Sequence, residues 1–273
     1  MNPNPPHIPS RPTLGLVIRF KNSAGTLPAV LDAVRGQTVQ PDLIVGVNNE
    51  STDNSAALLV AAGAKIVDWT RPYSHPRVMN FAAQNCPTDL VLVLSSHTRL
   101  RSPDAIARLV AAMADPRVAC ASGKWDTDSF YSDAIDWAEL KAKGLKFCSI
   151  YSNSMGIFRR SLWEQVPFDE SVISMEDSAW AVEQVHRGFI CRRLDFGFEY
   201  LRRGGSREFA FAVATFKLAG KHGLRGAWLG VAGTLRGLPP ALVRGADGRQ
   251  EATVLLQRLV ARFAWRFIGP LKE

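Results

Sequence analysis

Between Leu14 and Ser122 the chain alternates short, β-rich apolar runs with amphipathic stretches of helix length, and few folds satisfy that pattern. Leu14 to Phe20 (LGLVIRF) follows a proline cluster and reads as a buried strand. Thr26 is placed to cap a helix with Leu27, Val30, Leu31 and Val34 on one face, and Pro28 is tolerated in its first turn. Leu43 to Val47 is the next strand, and Asp53 opens a helix through Ala62. Lys65 to Trp69 is a third strand and His75 to Asn85 a helix after its proline. Leu90 to Leu94 (LVLVL) has no polar alternation, as a strand covered on both faces requires. Pro103 starts a helix to about Ala114, and Val118 to Ser122 is a further strand. Strands alternating with helices in this way predict an α/β fold with a mostly parallel sheet and helices on both faces. Ligands of such sheets bind at the carboxyl ends of the strands. That places Lys21-Asn22, Asn48 to Asp53, Ser95 to Arg99 and the segment near Lys124 at the candidate site.

The remaining sequence divides around this core. Residues 1–12 hold five prolines and no apolar core of a signal peptide, so they read as a disordered lead-in to an α/β domain over residues 13–201. Asp126 to Lys146 mixes polar residues with aromatics and suits a lid or acceptor-side insertion. Cys86, Cys120, Cys148 and Cys191 form no CxxC pair, which fits buried thiols in a reducing compartment. No apolar stretch is long enough to span a bilayer, so a cytoplasmic protein is expected. The net charge of +8 is concentrated at one end: residues 202–273 carry 13 Lys and Arg against 4 Asp and Glu, a net of +9. There Arg258, Arg262 and Arg266 recur every four residues beside an apolar face of Leu255, Leu256, Leu259, Val260, Phe263 and Phe267. This is the pattern of a basic amphipathic helix lying on an anionic membrane, peripheral at the inner face of the cell membrane, or else packed on the α/β domain. The residues between these arginines are mainly aliphatic, so no nucleic-acid partner is expected.

Three polar clusters could carry chemistry. The turn VNNESTDNS, Val47 to Ser55, offers helix N-terminal amides and polar side chains to a nucleotide's base or ribose, or merely caps a helix. SSHTR, Ser95 to Arg99, directly follows the most apolar strand, where it can meet phosphates. His97 can bind a metal, donate to a departing diphosphate, or be structural. MEDSAW, Met175 to Trp180, puts adjacent carboxylates at a helix start, where they also complement the helix dipole.

In this order and spacing the three clusters, with the segments around them, resemble a family 2 glycosyltransferase of the GT-A fold from about Leu14 to Tyr200. LGLVIRFKNSAGTLPAVLDAVRGQT resembles the family's first strand, Asn-containing loop and first helix, and DLIVGVNNESTDNSAALL its second strand and nucleotide-binding turn. HPRVMNFAAQNCPTDLVLVLSSH resembles the Arg-x-x-Asn helix and the strand that normally ends in Asp-x-Asp. NSMGIFRRSLWEQVPFDESVISMEDSAWAVEQVHRGF resembles the acceptor-side segment ending in the Glu-Asp helix. The resemblance implies that Asn22, Asn48, Asn49 and Glu50 line the nucleoside pocket. It places Arg77 by the nucleotide or its phosphates with Asn80 supporting it, and Ser95, Ser96 and His97 toward the diphosphate and any metal. It makes Asp177 the general base and Glu176 the residue that orients substrate or base.

The chain departs from the family pattern in two places. Asn48-Asn49 stand where an Asp is usual, and Ser95-Ser96-His97 stand where Asp-x-Asp is usual. The second change removes two hard oxygen ligands, which disfavours tight Mg²⁺ binding. A neutral His97 suits Mn²⁺ better, and an imidazolium could offset the diphosphate without metal. No histidine in DFGFEYLRR matches the family's late metal ligand. The implied function is inverting transfer of a sugar from a nucleotide-diphosphate sugar to a glycan or lipid-linked acceptor. The alternatives are a sugar-nucleotide-binding homologue without catalysis and a nucleotidyltransferase on a similar sheet.

Overall fold

The computed structural model describes residues 11–124, 130–145, 150–172, 175–201 and 218–224. In chain order its first half contains β1 (Leu14–Phe20), α1 (Leu27–Arg35), β2 (Leu43–Asn48), α2 (Ser55–Ala61), β3 (Lys65–Asp68), α3 (His75–Gln84) and β4 (Leu90–Ser95). There follow β5 (Thr98–Leu100), α4 (Ala105–Ala112), β6 (Val118–Gly123), β7 (Ala134–Ile135) and α5 (Trp137–Lys143). The last described elements are β8 (Met155–Arg159), α6 (Arg160–Gln165), α7 (Glu176–His186), β9 (Ile190–Leu194) and β10 (Phe198–Tyr200).

Eight strands form one sheet in the order β3-β2-β1-β4-β8-β6-β9-β7. The first four strands are parallel, as expected of strands joined by helical crossovers. Beyond β4 the sheet becomes mixed, because β8 enters antiparallel between β4 and β6. β6 and β9 pair in parallel and β7 closes that edge antiparallel. The alternation along β1 divides the core. Leu14, Leu16, Ile18 and Phe20 join the cluster that packs Leu27, Val30, Leu31, Leu59, Ile106 and Leu109 from α1, α2 and α4. Val17 faces the other cluster, with Val78, Met79, Leu162, Trp163, Trp180 and Val185 from α3, α6 and α7. Each large apolar side chain buried this way contributes roughly 1.5–3 kcal/mol.

Two expected helix caps have other partners in the structure. Thr26 makes no cap bond; its hydroxyl donates to the Ser96 carbonyl at 2.7 Å and the Ser23 carbonyl at 3.2 Å. Asp53 stands ahead of α2, which begins at Ser55, and accepts from the Ala24 N–H at 2.9 Å and the Ser55 N–H at 3.0 Å. Thr26 thus laces the loop after β1 to the end of β4, while Asp53 ties that loop to the first N–H of α2. Part of the expected Ser95 to Arg99 loop is a strand: β5 pairs antiparallel with β10 in a separate two-stranded ribbon. Among the described residues no helix is long and apolar enough to cross a membrane. The basic amphipathic segment around Arg258, Arg262 and Arg266 lies outside the described residues.

Candidate active site

The carboxyl ends of β1, β2 and β3 build one side of the site. Asn22 follows β1 at φ 48°, and Glu50 follows β2 at φ 54°, both in the left-handed region that L residues seldom adopt. Asn22 Oδ1 accepts from the Thr52 N–H at 2.8 Å, and the Asn22 N–H donates to Ser51 Oγ at 3.1 Å. Asn48 Oδ1 accepts from the Ser51 N–H at 2.9 Å, and the Asn49 N–H donates to the Phe20 carbonyl at 3.0 Å. The turn Asn48 to Thr52 is thus fastened to the β1 loop. Asn48 Nδ2 also donates to Asp68 Oδ1 at 2.9 Å, which adds a carboxylate at the end of β3. Asp68 was not among the residues expected here, although its place at a strand's carboxyl end was a usable signal.

The end of β4 supplies the second side. Ser95 accompanies Arg19 in the β1–β4 register, and its N–H donates to the Ser154 carbonyl at 2.9 Å. Its Oγ lies along one edge of the His97 ring, 3.0 Å from Nε2 and 3.2 Å from Nδ1. The His97 ring meets Tyr200 edge-on, with centroids 4.5 Å apart, because the Leu201 N–H donates to the His97 carbonyl and draws β10 alongside. Ser96 is buried and turned toward α1, its Oγ 2.9 Å from Ser23 Oγ. Of the three residues in the Asp-x-Asp position, Ser95 and His97 therefore lie together and the Ser96 side chain is directed elsewhere.

The acid pair completes the cluster. Met175 precedes α7 at φ 66°, and Glu176 and Asp177 form its first turn. Asp177 Oδ2 accepts from the Asn153 N–H at 3.0 Å, and Oδ1 from the Ser178 N–H at 2.7 Å. Each oxygen therefore keeps a lone pair in a fixed direction. Asn153 also directs its Nδ2 at Glu176 Oε1, 3.4 Å away, while its own Oδ1 is buried without a hydrogen-bond partner. Burial and the neighbouring Glu176 carboxylate raise the Asp177 pKa to about 7, against the pull of the two N–H donors and of Arg19. Arg19 lies on the same sheet face as Val17, its Nη1 3.4 Å from His75 Nδ1, and its charge acts on both Asp177 and Tyr151. Arg19, Asn153, Tyr151 and Tyr200 were not anticipated, since only folding brings them beside the motif residues.

Arg77 and Asn80 both engage the turn after α6. Arg77 Nε pairs with Glu170 Oε2 at 3.3 Å. The buried Asn80 amide donates to the Phe168 carbonyl at 2.9 Å and Glu170 Oε1 at 3.2 Å. It accepts from Trp163 Nε1 and the Phe168 N–H, each at 3.0 Å. Both residues hold the turn after α6 and meet on Glu170, while His75 of the same helix turn lies beside Arg19.

The possible metal ligands near the acid pair are few. Among the described residues, no group of three His, Cys, Asp or Glu ligands includes His97. One imidazole beside a serine hydroxyl does not make the oxygen cage that Mg²⁺ requires.

A parallel half-sheet with polar turns at its carboxyl edge, met there by a carboxylate pair from the mixed half, defines a GT-A-type α/β protein. The chain belongs to glycosyl transferase family 2, whose sequence profile matches residues 16–168. Glu176 and Asp177 lie just beyond that match. The chain is 27% identical over 195 residues to an O-antigen chain rhamnosyltransferase of Salmonella typhimurium, covering 64% of this chain and 61% of that protein. A second relative, an O-antigen biosynthesis protein of Myxococcus xanthus, is 25% identical over 112 residues, or 39% of this chain and 9% of that one. The chain thus spans less than two thirds of either relative. In fold it is similar to a mannosyltransferase of Pyrobaculum calidifontis in complex with GDP-Man and Mn²⁺, with TM-score 0.60 and 18% identity over 96% of this chain and 77% of that one. It is also similar to glucosyl-3-phosphoglycerate synthase of Mycobacterium tuberculosis in complex with Mg²⁺ and UDP, with TM-score 0.60 and 14% identity over 77% and 80% of the two chains.

Proposed function

We propose that this chain transfers a sugar from a nucleotide-diphosphate sugar to a glycan hydroxyl with inversion, and that Asp177 is the general base. The observation that carries this reading is the Asp177 carboxyl group, fixed by two backbone N–H donors beside the strand ends, with a pKa of about 7. A carboxylate with a pKa near the working pH is a stronger base than an ordinary one while still ionised in a large share of molecules, so it can take a hydroxyl proton during attack. In the step, the acceptor oxygen bonds to the anomeric carbon as the bond from that carbon to the diphosphate oxygen breaks. The acceptor proton passes to Asp177, and the electron pair leaves with the nucleoside diphosphate. Asn22, Asn48, Asn49, Glu50 and Asp68 hold the nucleoside. Ser95 and His97 face the diphosphate, and Glu176 orients the base through Asn153. Arg19 adds positive charge between the two halves of the site.

His97 offers charge or an N–H to the leaving group by itself. Mn²⁺ would use the His97 imidazole and take most of its remaining ligands from the diphosphate, adding charge neutralisation. The likeness to an O-antigen chain rhamnosyltransferase supports a deoxyhexosyl donor and an O-antigen-type glycan acceptor. The net charge of +9 over residues 202–273 supports docking of that region on an anionic leaflet.

Asp177→Asn tests the assignment. Turnover of a nucleotide-sugar donor falls by roughly 10²–10⁴-fold, while calorimetry finds donor affinity unchanged. Near-normal turnover removes Asp177 from the role of base, and a matching loss of donor affinity makes it a sugar-positioning residue instead.

A further inference from the structure

The far end of α7 carries a second cluster, roughly 9–15 Å along the helix from the acid pair at 1.5 Å per residue. Glu183 and His186 are three residues apart and so share one face of the helix. His222 reaches them from segment 218–224, which is anchored in the core by Leu218, Ala219 and Leu224. One ligand atom from each of Glu183, His186 and His222 lies within 4.8 Å of the other two. The His222 side chain is only 6% exposed, and its Nε2 is buried without a hydrogen-bond partner. That nitrogen faces Glu183 Oε2 at 3.9 Å, too far for a hydrogen bond. Trp137 packs beside both imidazoles, with ring centroids 4.7 Å from His186 and 6.3 Å from His222. His186 is exposed, which leaves an entry path from solvent.

The spacing and chemistry of these groups fit a metal ion. Ligands about 2.0–2.2 Å from a tetrahedral ion lie about 3.4 Å from each other. Small side-chain rotations would bring the three atoms to that separation and give the buried His222 nitrogen a partner. Two imidazoles and one carboxylate are borderline ligands that select Zn²⁺ over Mg²⁺ or Ca²⁺. A neutral imidazole is needed, and burial already lowers the His222 pKa against the opposing pull of Glu183.

We propose that Glu183, His186 and His222 form a Zn²⁺ site separate from the donor site, which pins segment 218–224 to the helix whose first turn carries Glu176 and Asp177. The fourth position is left to water.

The test uses the full chain, dialysed against chelator and then against metal-free buffer without nucleotide. Calorimetry with Zn²⁺, and visible absorption with Co²⁺ as a spectroscopic substitute, report binding directly. The expected result is one ion per chain, a tetrahedral Co²⁺ spectrum displaced by Zn²⁺, a higher melting temperature with Zn²⁺, and no competition by Mg²⁺. His222→Asn and His186→Asn should each weaken Zn²⁺ binding by about tenfold or more, and His97→Ala should leave it intact. His186 is exposed, so His186→Asn is read for binding in a chain whose metal-free melting temperature matches the parent's. The proposal is overturned by an absence of stoichiometric Zn²⁺ binding, by unchanged binding in both histidine variants, or by loss of binding in His97→Ala. The last result would move the ion to the donor site.

Discussion

A carboxylic acid that ionises near neutrality is suited to removing a hydroxyl proton, but the same environment makes its ionised form a burden on the fold. Burial and Glu176 raise the Asp177 pKa from 3.8 to about 7. The folded protein therefore holds the proton more firmly than the unfolded chain. The stability contributed by this group is fully present below the unfolded pKa and is lost as pH rises through about 7. Asp177→Asn should accordingly melt higher than the parent at pH 8, with a gap that narrows as the pH is lowered toward 4. Each tenfold difference in proton affinity between the folded and unfolded chain corresponds to about 1.4 kcal/mol, and each kcal/mol to roughly 2–4 °C. Thermal scans across that pH range check this, and a gap independent of pH would remove the buried-charge explanation. In kinetics, kcat/KM should fall on the acid side with an apparent pKa near 7 that belongs to the Glu176–Asp177 pair as a whole. His97→Ala should weaken nucleoside-diphosphate binding, and added chelator should change that binding only if Mn²⁺ joins the ring. Binding indifferent to both changes would leave His97 a packing partner of Ser95 and Tyr200.

Whole elements fix where these residues stand. α6 and the turn after it are held to α3 by four hydrogen bonds on the Asn80 amide, one from Trp163 and three with Phe168 and Glu170. Asn80→Ala would leave the Trp163 indole N–H and the Phe168 backbone unpaired in the core. At about 1–3 kcal/mol per unsatisfied group, the variant should lose several degrees of melting temperature, measurable by calorimetry. A neutral result would mean that water replaces the amide. On β8, a Cβ at Gly156 would lie 2.6 Å from the Ser152 carbonyl and 2.5 Å from the Tyr151 ring. That backbone cannot move aside cheaply, because the same loop presents Asn153 to Asp177. Gly156→Ala should therefore depress turnover more than it depresses donor affinity, since the loop serves the base and the nucleoside pocket lies across the sheet. An equal loss of both would place the loop in donor binding.

At the scale of the molecule, the sheet joins two half-sites that belong to distant parts of the chain. In the proposed function the nucleoside side is made by the ends of β1, β2 and β3, and the base comes from α7, after the sheet has turned mixed at β8. Docking of the basic C-terminal region on a membrane is tested by flotation with anionic liposomes, comparing the full chain with one ending after Leu224, which keeps the core residues Leu218, Ala219 and Leu224. Salt-sensitive binding lost on truncation supports that role. A full chain that ignores such liposomes at low salt ends it.

The local pattern of apolar residues specified every strand and helix from Leu14 to Gly123 except β5, to within about two residues at each end, because burial on one face imposes a period that a sequence displays directly. The polar clusters at Asn48, Ser95 and Glu176 were legible for a related reason: polar side chains right after buried strands, or at a helix start, interrupt that pattern. The antiparallel entry of β8 left no such trace, since LVLVL in β4 looks the same beside a parallel or an antiparallel neighbour. Nor could spacing show that Ser96 turns to Ser23, that Asn80 serves the turn at Phe168, or that Arg19 and Asn153 flank Asp177. Those outcomes depend on contacts between residues far apart in the chain, and packing of the two sheet faces decided them.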